Sequence, residues 1–351
     1  MPSQEWPKII TLTRSGVRAW RVSRSARPVL TPKTAAFALV FAGILAANTA
    51  HADPSKTTVE QGYEGGEVQH PRGVAMGGAQ AALGQSTAAI WLNPANLPLS
   101  RVYHFEGLAA GGLEARRQQY GGAIADSSTS RIAGGFGGTY SMLDPDGIHR
   151  SWTDLRLTIA YPLADRVSVG ATGRYLRLQQ AVNSGPLGTS LASSGTPGDP
   201  IYNGFTWDAG LTVIPIQGLH IAAVGRNLTP NGGTLAPLAV VGAVGYTNGA
   251  FTVEGDVNTD FSTYAETRGR YMLGGEYFVL DRLPLRVGYR YDDGTKTHSI
   301  SGGIGYVDRK WSVELGVRRD IVSDHAATLG VLGLRFFYDQ TGSDEMSDPG
   351  I

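Results

Sequence analysis

Few residues in this chain stand at spacings that support catalysis. The histidines are scattered: His220 falls within an alternating run, His298 stands beside Ser299, and His325 lies in a loop-like stretch. No spacing among them suggests a nucleophilic triad or a metal site. The glycine-rich run AMGGAQAALG lacks the Lys-Ser/Thr ending of a phosphate-cradling loop. No catalytic residue, metal ligand or cofactor is assigned, and an enzyme is not expected. What does recur is charge at alternate positions: Glu254, Asp256 and Asp260 in one stretch, Arg268 and Arg270 in the next, and Glu276 facing Arg286 across a further pair. Such rows point into one interior, where they read as structural ion pairs rather than substrate ligands.

The elements that would carry these charges follow a period of two from about residue 101 to the end. Leu155, Leu157, Ile159 and Tyr161 oppose Asp154, Arg156 and Thr158; Phe251, Val253 and Val257 oppose Glu254, Asp256 and Asn258; Leu285, Val287, Tyr289 and Tyr291 oppose Arg286, Gly288 and Arg290. The runs predict about fourteen strands, most of them long enough to cross a bilayer at a tilt, in an even number. Connections after even-numbered strands are mostly very short, whereas those after odd-numbered strands are longer, the longest being Asn183 to Gly204. Tyr and Trp gather near strand ends, as at Trp152, Tyr161, Tyr246, Tyr277, Tyr306 and Trp311. A soluble β-sandwich also alternates, but its strands are shorter. The expected fold is all-β, a transmembrane antiparallel barrel of about fourteen strands with a short N-terminal helical hatch in its lumen.

The sequence has 351 residues, 48 glycines, no cysteine and a formal net charge of zero. Zero net charge gives no reason to expect nucleic acid as a partner. Without cysteine there are no disulfides, no thiolate metal sites and no lipoprotein anchor. Basic residues Arg14 to Lys33 precede the apolar run AAFALVFAGILAA, and Ala50-His51-Ala52 supplies a small-x-small cleavage pattern. Residues 1–52 thus read as a signal peptide with a long basic lead, and a translation start nearer Val29 is an open alternative. Residues 53–100 read as the hatch, 101–338 as the barrel and 339–351 as a disordered periplasmic tail. Within the hatch, His70 to Leu97 is poor in charge and lacks the two-residue alternation, so it reads as one helix surrounded by protein and stopped at Asn93-Pro94.

The run RGVAMGGAQAALG followed by IWLNPANL resembles the N-terminal hatch of the FadL family of outer-membrane transporters for hydrophobic compounds. It is equally similar to the shorter PorV relatives that take part in protein secretion. The likeness extends more loosely to FTWDAGL, VGRNL and the stretch from DVNTDFS to LGGEY. It implies a Gram-negative outer-membrane protein, both ends periplasmic, passing hydrophobic small molecules such as long-chain fatty acids. The alternative is a non-conducting barrel that partners a secretion-system protein, a reading favoured by the lack of large helical surface loops. Outer-membrane lipids and the barrel-assembly machinery are implied partners, the latter through the final run VLGLRFFY. The resemblance also implies that the hatch turn Asn93, Pro94, Ala95 lies beside strand three, where Gly134, Gly135, Phe136, Gly137 and Gly138 would bend the strand and leave a lateral opening. The simpler alternative is that these glycines only make room for the hatch and that the ladder is unbroken.

Overall fold

The computed structural model describes residue 64 and residues 67–144, 149–181, 197–229, 236–323 and 326–338. The expected signal peptide, most of the residues leading to the hatch, and the C-terminal tail lie outside the described residues.

Fourteen antiparallel strands close into a barrel. They are β1 (Tyr103–Gly112), β2 (Arg117–Asp126), β3 (Ala133–Leu143), β4 (Arg150–Ala164), β5 (Val167–Ala181), β6 (Pro197–Ile216), β7 (Leu219–Arg226), β8 (Ala239–Thr247), β9 (Phe251–Asp260), β10 (Arg268–Val279), β11 (Leu283–Asp292), β12 (Thr297–Val307), β13 (Trp311–Val322) and β14 (Thr328–Phe337). Each pairs with its chain neighbours, and the seam joins β1 to β14 from His104 opposite Phe337 to Gly112 opposite Leu329. Closure gives every strand a partner on both sides, which is the condition for sheet inside a bilayer.

Side-chain alternation sorts the two faces. On β4, Leu157 is 59% exposed and Ile159 57%, whereas Asp154 and Thr158 are fully buried. On β11, Val287 is exposed while Arg286 and Arg290 are buried. The outer surface is therefore aliphatic and aromatic, and the lumen holds the charge, an inside-out partition relative to a soluble barrel. One strand departs from the sequence expectation. β6 begins at Pro197, so the connection before it is shorter than Asn183 to Gly204. Pairing with the long β5 draws 197–204 into the ladder despite its Gly and Pro, with register shifts around Gln179 that absorb the irregularity.

The lumen is filled by the hatch. The single helix expected from His70 to Leu97 is instead three short pieces: α1 (Pro71–Ala75), α2 (Thr87–Leu92) and a 3-10 segment (Pro94–Leu99). Gly77 and Gly78, at φ of +69° and +99°, end the first piece, and Ser86 at φ 60° precedes the second. A Cβ on Gly77 would come within 2.6 Å of the Tyr289 carbonyl oxygen, so the break is set by the wall as well as by glycine. A run of Gly and Ala that looks helical by composition is thus a folded plug whose small residues serve close approach.

Candidate functional site: the hatch and the cavity beside it

The hatch is fixed to the wall in two ways. Its first half meets charge. Asp256 Oδ2 accepts from the backbone amides of Gln80 and Ala81, each at 2.9 Å. Glu254 Oε1 accepts from those of Ala82 and Leu83 at 2.5 and 3.3 Å. Arg72 donates to Glu276 at 2.6 Å, and Glu276 continues a chain of opposite charges through Arg286 and Glu314. At the start of α1, His70 bonds Glu106 at 3.0 Å, and Arg335 reaches both Glu106 and Glu314. These partners come from β1 and β9–β14.

The second half meets apolar and amide groups on β1–β6. Ile90, Trp91 and Leu97 are buried with Leu108, Ala123, Ala125, Ala133 and Ala160. A Cβ on Gly137 would come within 2.6 Å of the Trp91 ring, and one on Gly135 within 2.8 Å of Ile90. Asn93 donates from Nδ2 to the Ala81 carbonyl at 2.7 Å and to Thr212 Oγ1 at 2.9 Å, and its Oδ1 accepts from the Ala95 amide. A Cβ on Gly170 would overlap Pro94, and one on Gly210 would overlap the Asn93 side chain.

These contacts correct two expectations. The turn Asn93, Pro94, Ala95 lies against Gly170 and Gly210 on β5 and β6, and the side chains that meet Gly135 and Gly137 of strand three are Ile90 and Trp91. Strand three is not opened. It pairs with β2 from Gln118 opposite Met142 to Asp126 opposite Gly134, and with β4 from Ala133 opposite Ala160 to Leu143 opposite Arg150, with no register shift on either side. Gly134, Gly135, Gly137 and Gly138 therefore stand in a continuous ladder around Phe136, which points outward and is 52% exposed. The physical reason is the one given by the simpler alternative: absent side chains at Gly135 and Gly137 make space for the hatch without costing backbone pairs.

The interior charges also differ in part from the sequence pairing. Glu276 bonds Arg286 at 2.6 Å. Glu254 and Asp256, however, hold hatch amides rather than Arg268 or Arg270. Asp260 caps its own turn through Ser262 and Thr263, and Arg270 bonds Asp292 at 2.7 Å and Glu67 at 3.1 Å.

Beside the hatch, toward the end of the barrel that carries the odd-numbered connections, lies a cavity of about 420 Å³. Gly73, Val74, Gly78, Trp91 and Leu92 of the hatch form part of its lining. One side is apolar, lined by Leu143, Trp152 and Leu178, which are backed by Ala115, Leu176, Tyr202 and Ala236. The rest is ionic. Glu64 receives Arg117 at 2.9 Å, Arg290 at 3.0 Å and Arg318. Glu67 receives Arg226 and Arg270, each at 3.1 Å. Burial raises the pKa of Glu64, but Arg318, Arg290, Arg117 and Arg270 outweigh it and hold the carboxyl well below the usual carboxylate range. Between the two sides Asp154 takes Arg156 at 3.1 Å and Arg174 at 2.6 Å, and the Arg156 guanidinium lies 5.4 Å from the Trp91 ring. Sequence reading missed Glu64, Glu67, Arg117, Arg226 and Arg318, and it named Arg270 and Arg290 without these partners. Strand parity could have placed Arg117, Arg290 and Arg318 in the lumen, but nothing local marks the two glutamates as their partners.

No family model and no curated protein matches the chain. Among solved structures, the Ralstonia pickettii toluene transporter TbuX aligns at TM-score 0.58 and 15% identity, over 78% of this chain and 99% of that one. The CymD monoaromatic hydrocarbon channel aligns at 0.59 and 15%, over 77% and 97%. A Pseudomonas aeruginosa FadL homologue aligns at 0.54 and 13%, over 77% and 98%. The chain has the FadL-type fold.

The FadL-type barrel here keeps a luminal hatch and an adjoining cavity while its third strand is fully paired. Its cavity has an apolar side on β3–β6 and a ring of guanidinium groups drawn from β2, β7, β10, β11 and β13. Among the described residues no group of three or more His, Asp or Glu side chains is arranged to hold a metal ion.

Proposed function

We propose that this chain resides in the bacterial outer membrane and passes small hydrophobic molecules across it. The observation that carries the reading is the cavity with one apolar side, enclosed by a barrel whose outer face is aliphatic and aromatic. The long connections face the exterior and the short turns, at 165–166, 217–218, 248–250, 280–282 and 308–310, face the periplasm. Cargo enters from the long-connection end, rests against Trp152, Leu143 and Leu178, and leaves when the hatch shifts. Similarity to a toluene transporter and a monoaromatic hydrocarbon channel supports a hydrophobic cargo, and long-chain fatty acids are a further candidate class. The test is uptake of ethylbenzene and of oleate into liposomes holding the purified protein. Uptake above that of empty liposomes is expected, and none for either compound would remove the reading.

A second reading is favoured by one specific observation. The continuous pairing of β3 leaves no side exit at that strand, as suits a non-conducting barrel that partners a secretion-system protein. Capture of a defined outer-membrane partner together with absence of liposome uptake is the result expected under that reading.

A further inference from the structure

The two carboxylates beside the hatch sit where a ligand would. Glu64 and Glu67 precede α1 and lie on the cavity wall, and five arginines from five strands converge on them. Among the described residues the wall sets three aspartates beside these arginines: Asp292 pairs with Arg270, Asp320 lies near Arg318 while also bonding Ser299 and the Ala327 amide, and Asp256 lies near Arg226 while holding the hatch amides. Five guanidinium groups thus outnumber these three carboxylates by two, and the hatch supplies the two further charges as Glu64 and Glu67. The ring also has donor capacity to spare, since Arg290 Nε is buried with no acceptor among the described residues. It adjoins the apolar side directly: the Arg117 guanidinium that holds Glu64 lies 5.4 Å from the Trp152 ring, and Leu143 and Leu178 line the same cavity.

We propose that Glu64 and Glu67 are tethered occupants of a dianion site, and that the ligand class of this cavity is a dicarboxylate with an apolar body, its carboxylates on Arg117, Arg290, Arg318, Arg226 and Arg270 and its body on Trp152, Leu143 and Leu178. The proposal rests on the transport reading for its purpose, but not for its measurement. An arginine presents paired donors that match a carboxylate edge, so two carboxylates shared among five guanidinium groups are recognised as charge and as shape. Because the tethered pair is held within the same chain, it competes at high effective concentration, and free ligand binds only when it displaces both glutamates. A neutral hydrocarbon has nothing to offer the ring and would meet only the apolar side.

The test is equilibrium binding of phthalate to the detergent-purified full chain, followed by calorimetry, with dimethyl phthalate as the uncharged probe of the same body. The double variant Glu64→Gln/Glu67→Gln, in which shape is kept and the charge of the competitor removed, should bind phthalate about tenfold or more tightly than the parent chain. Adding Arg290→Gln and Arg318→Gln to it should abolish that gain, and dimethyl phthalate should bind all forms alike and weakly. Each form is first checked for heat-modifiable migration as a closed barrel. Should the double variant fail that check, Glu67→Gln alone, whose side chain is the more open of the two, should still show a smaller gain. Equal phthalate affinity in parent and glutamine variants, no binding by either, or equal affinity for acid and ester would each overturn the proposal. Phthalate binding as expected with no liposome uptake of ethylbenzene or oleate would remove the transport reading and leave the dianion site standing.

Discussion

The two halves of the hatch are fixed to the same barrel with different weights of charge and packing. From His70 to Leu83 carboxylates hold backbone amides and a chain of ion pairs reaches from Arg72 to Glu106, beside apolar packing of Ala81, Ala82 and Leu83 on β7 and β8. From Ser86 to Leu99 the contacts are chiefly buried aliphatic and indole groups seated on glycine, with an amide network centred on Asn93 and one guanidinium, Arg156, on the Trp91 carbonyl. The lesson concerns how each half could be released. A charged anchor answers to protonation, to competing ions and to loss of a single partner, whereas close packing answers to volume. A plug anchored in this way has one half that solution conditions can loosen more readily than the other.

The largest break in that contrast is expected from removing the carboxylates. Glu254→Ala with Asp256→Ala leaves the amides of residues 80 to 83 buried without acceptors, at about 1–3 kcal/mol for each unsatisfied group. Hydrogen exchange should rise sharply at those amides while the Asn93 region keeps its protection. Equal loosening of both halves would mean that the hatch is one cooperative unit. Next in size is the volume test on the other half. Gly137→Val places a side chain where the Trp91 ring lies, and overpacking of this kind costs about 1–3 kcal/mol. Proteolysis should then reach α2, with the first half still protected and the barrel still heat-modifiable. A smaller effect is expected from Asn93→Ala, which removes the bonds to Ala81 and Thr212 and should cost about 1 kcal/mol, read as a modest rise in exchange around the 3-10 segment. The smallest is a pH effect at Glu64. Its folded pKa is depressed, so its contribution to docking is complete above the ordinary glutamate value of about 4.3 and declines as pH falls below that toward the folded value. Tryptic exposure of the hatch should be flat at neutral pH and begin to rise only below about pH 4, and Glu64→Gln should reduce that rise, leaving the share of Glu67, whose carboxyl, despite burial, Arg270 and Arg226 also hold below its ordinary value. A rise between neutrality and mildly acid pH would point to a different titrating group.

The barrel was largely legible because alternation is a local property. Each strand declares its lipid face by which parity is apolar, so Leu157, Val253 and Val287 could be assigned outward from a few neighbours alone. The start of β6 was not, because Pro197 to Gly204 has the composition of a loop and is recruited by pairing with β5. The hatch was misread for a related reason. Gly77 and Gly78 are tolerated in a helix by composition, and only the approach of the β11 backbone decides that the chain must turn there. The cavity ring was the least legible part. Arg117, Arg226, Arg270, Arg290 and Arg318 are far apart in the sequence, and their convergence on Glu64 and Glu67 depends on closure of the barrel and the path of the hatch together. Pairings across neighbouring strands, such as Glu276 with Arg286, follow from register. Pairings across the lumen do not.

One feature of the path constrains assembly. Glu64 is bound by Arg117 at the start of β2 and by Arg318 near the end of β13, toward the long-connection end, whereas the 3-10 segment delivers the chain to Tyr103 at the short-turn end. The hatch therefore runs lengthwise through a closed ring, a thread inside a hoop whose last joint is the seam between β1 and β14. Hoop and thread belong to one molecule, and the thread leads straight into the first stave. If the seam zips first, the hatch from residue 67 onward has to be drawn into a finished pore; if the thread is laid first, the last strand closes over it. The second order needs no reptation and gives the charged contacts of Glu106, on β1, with Arg335, on β14, a further role as a clasp that His70 helps to fasten.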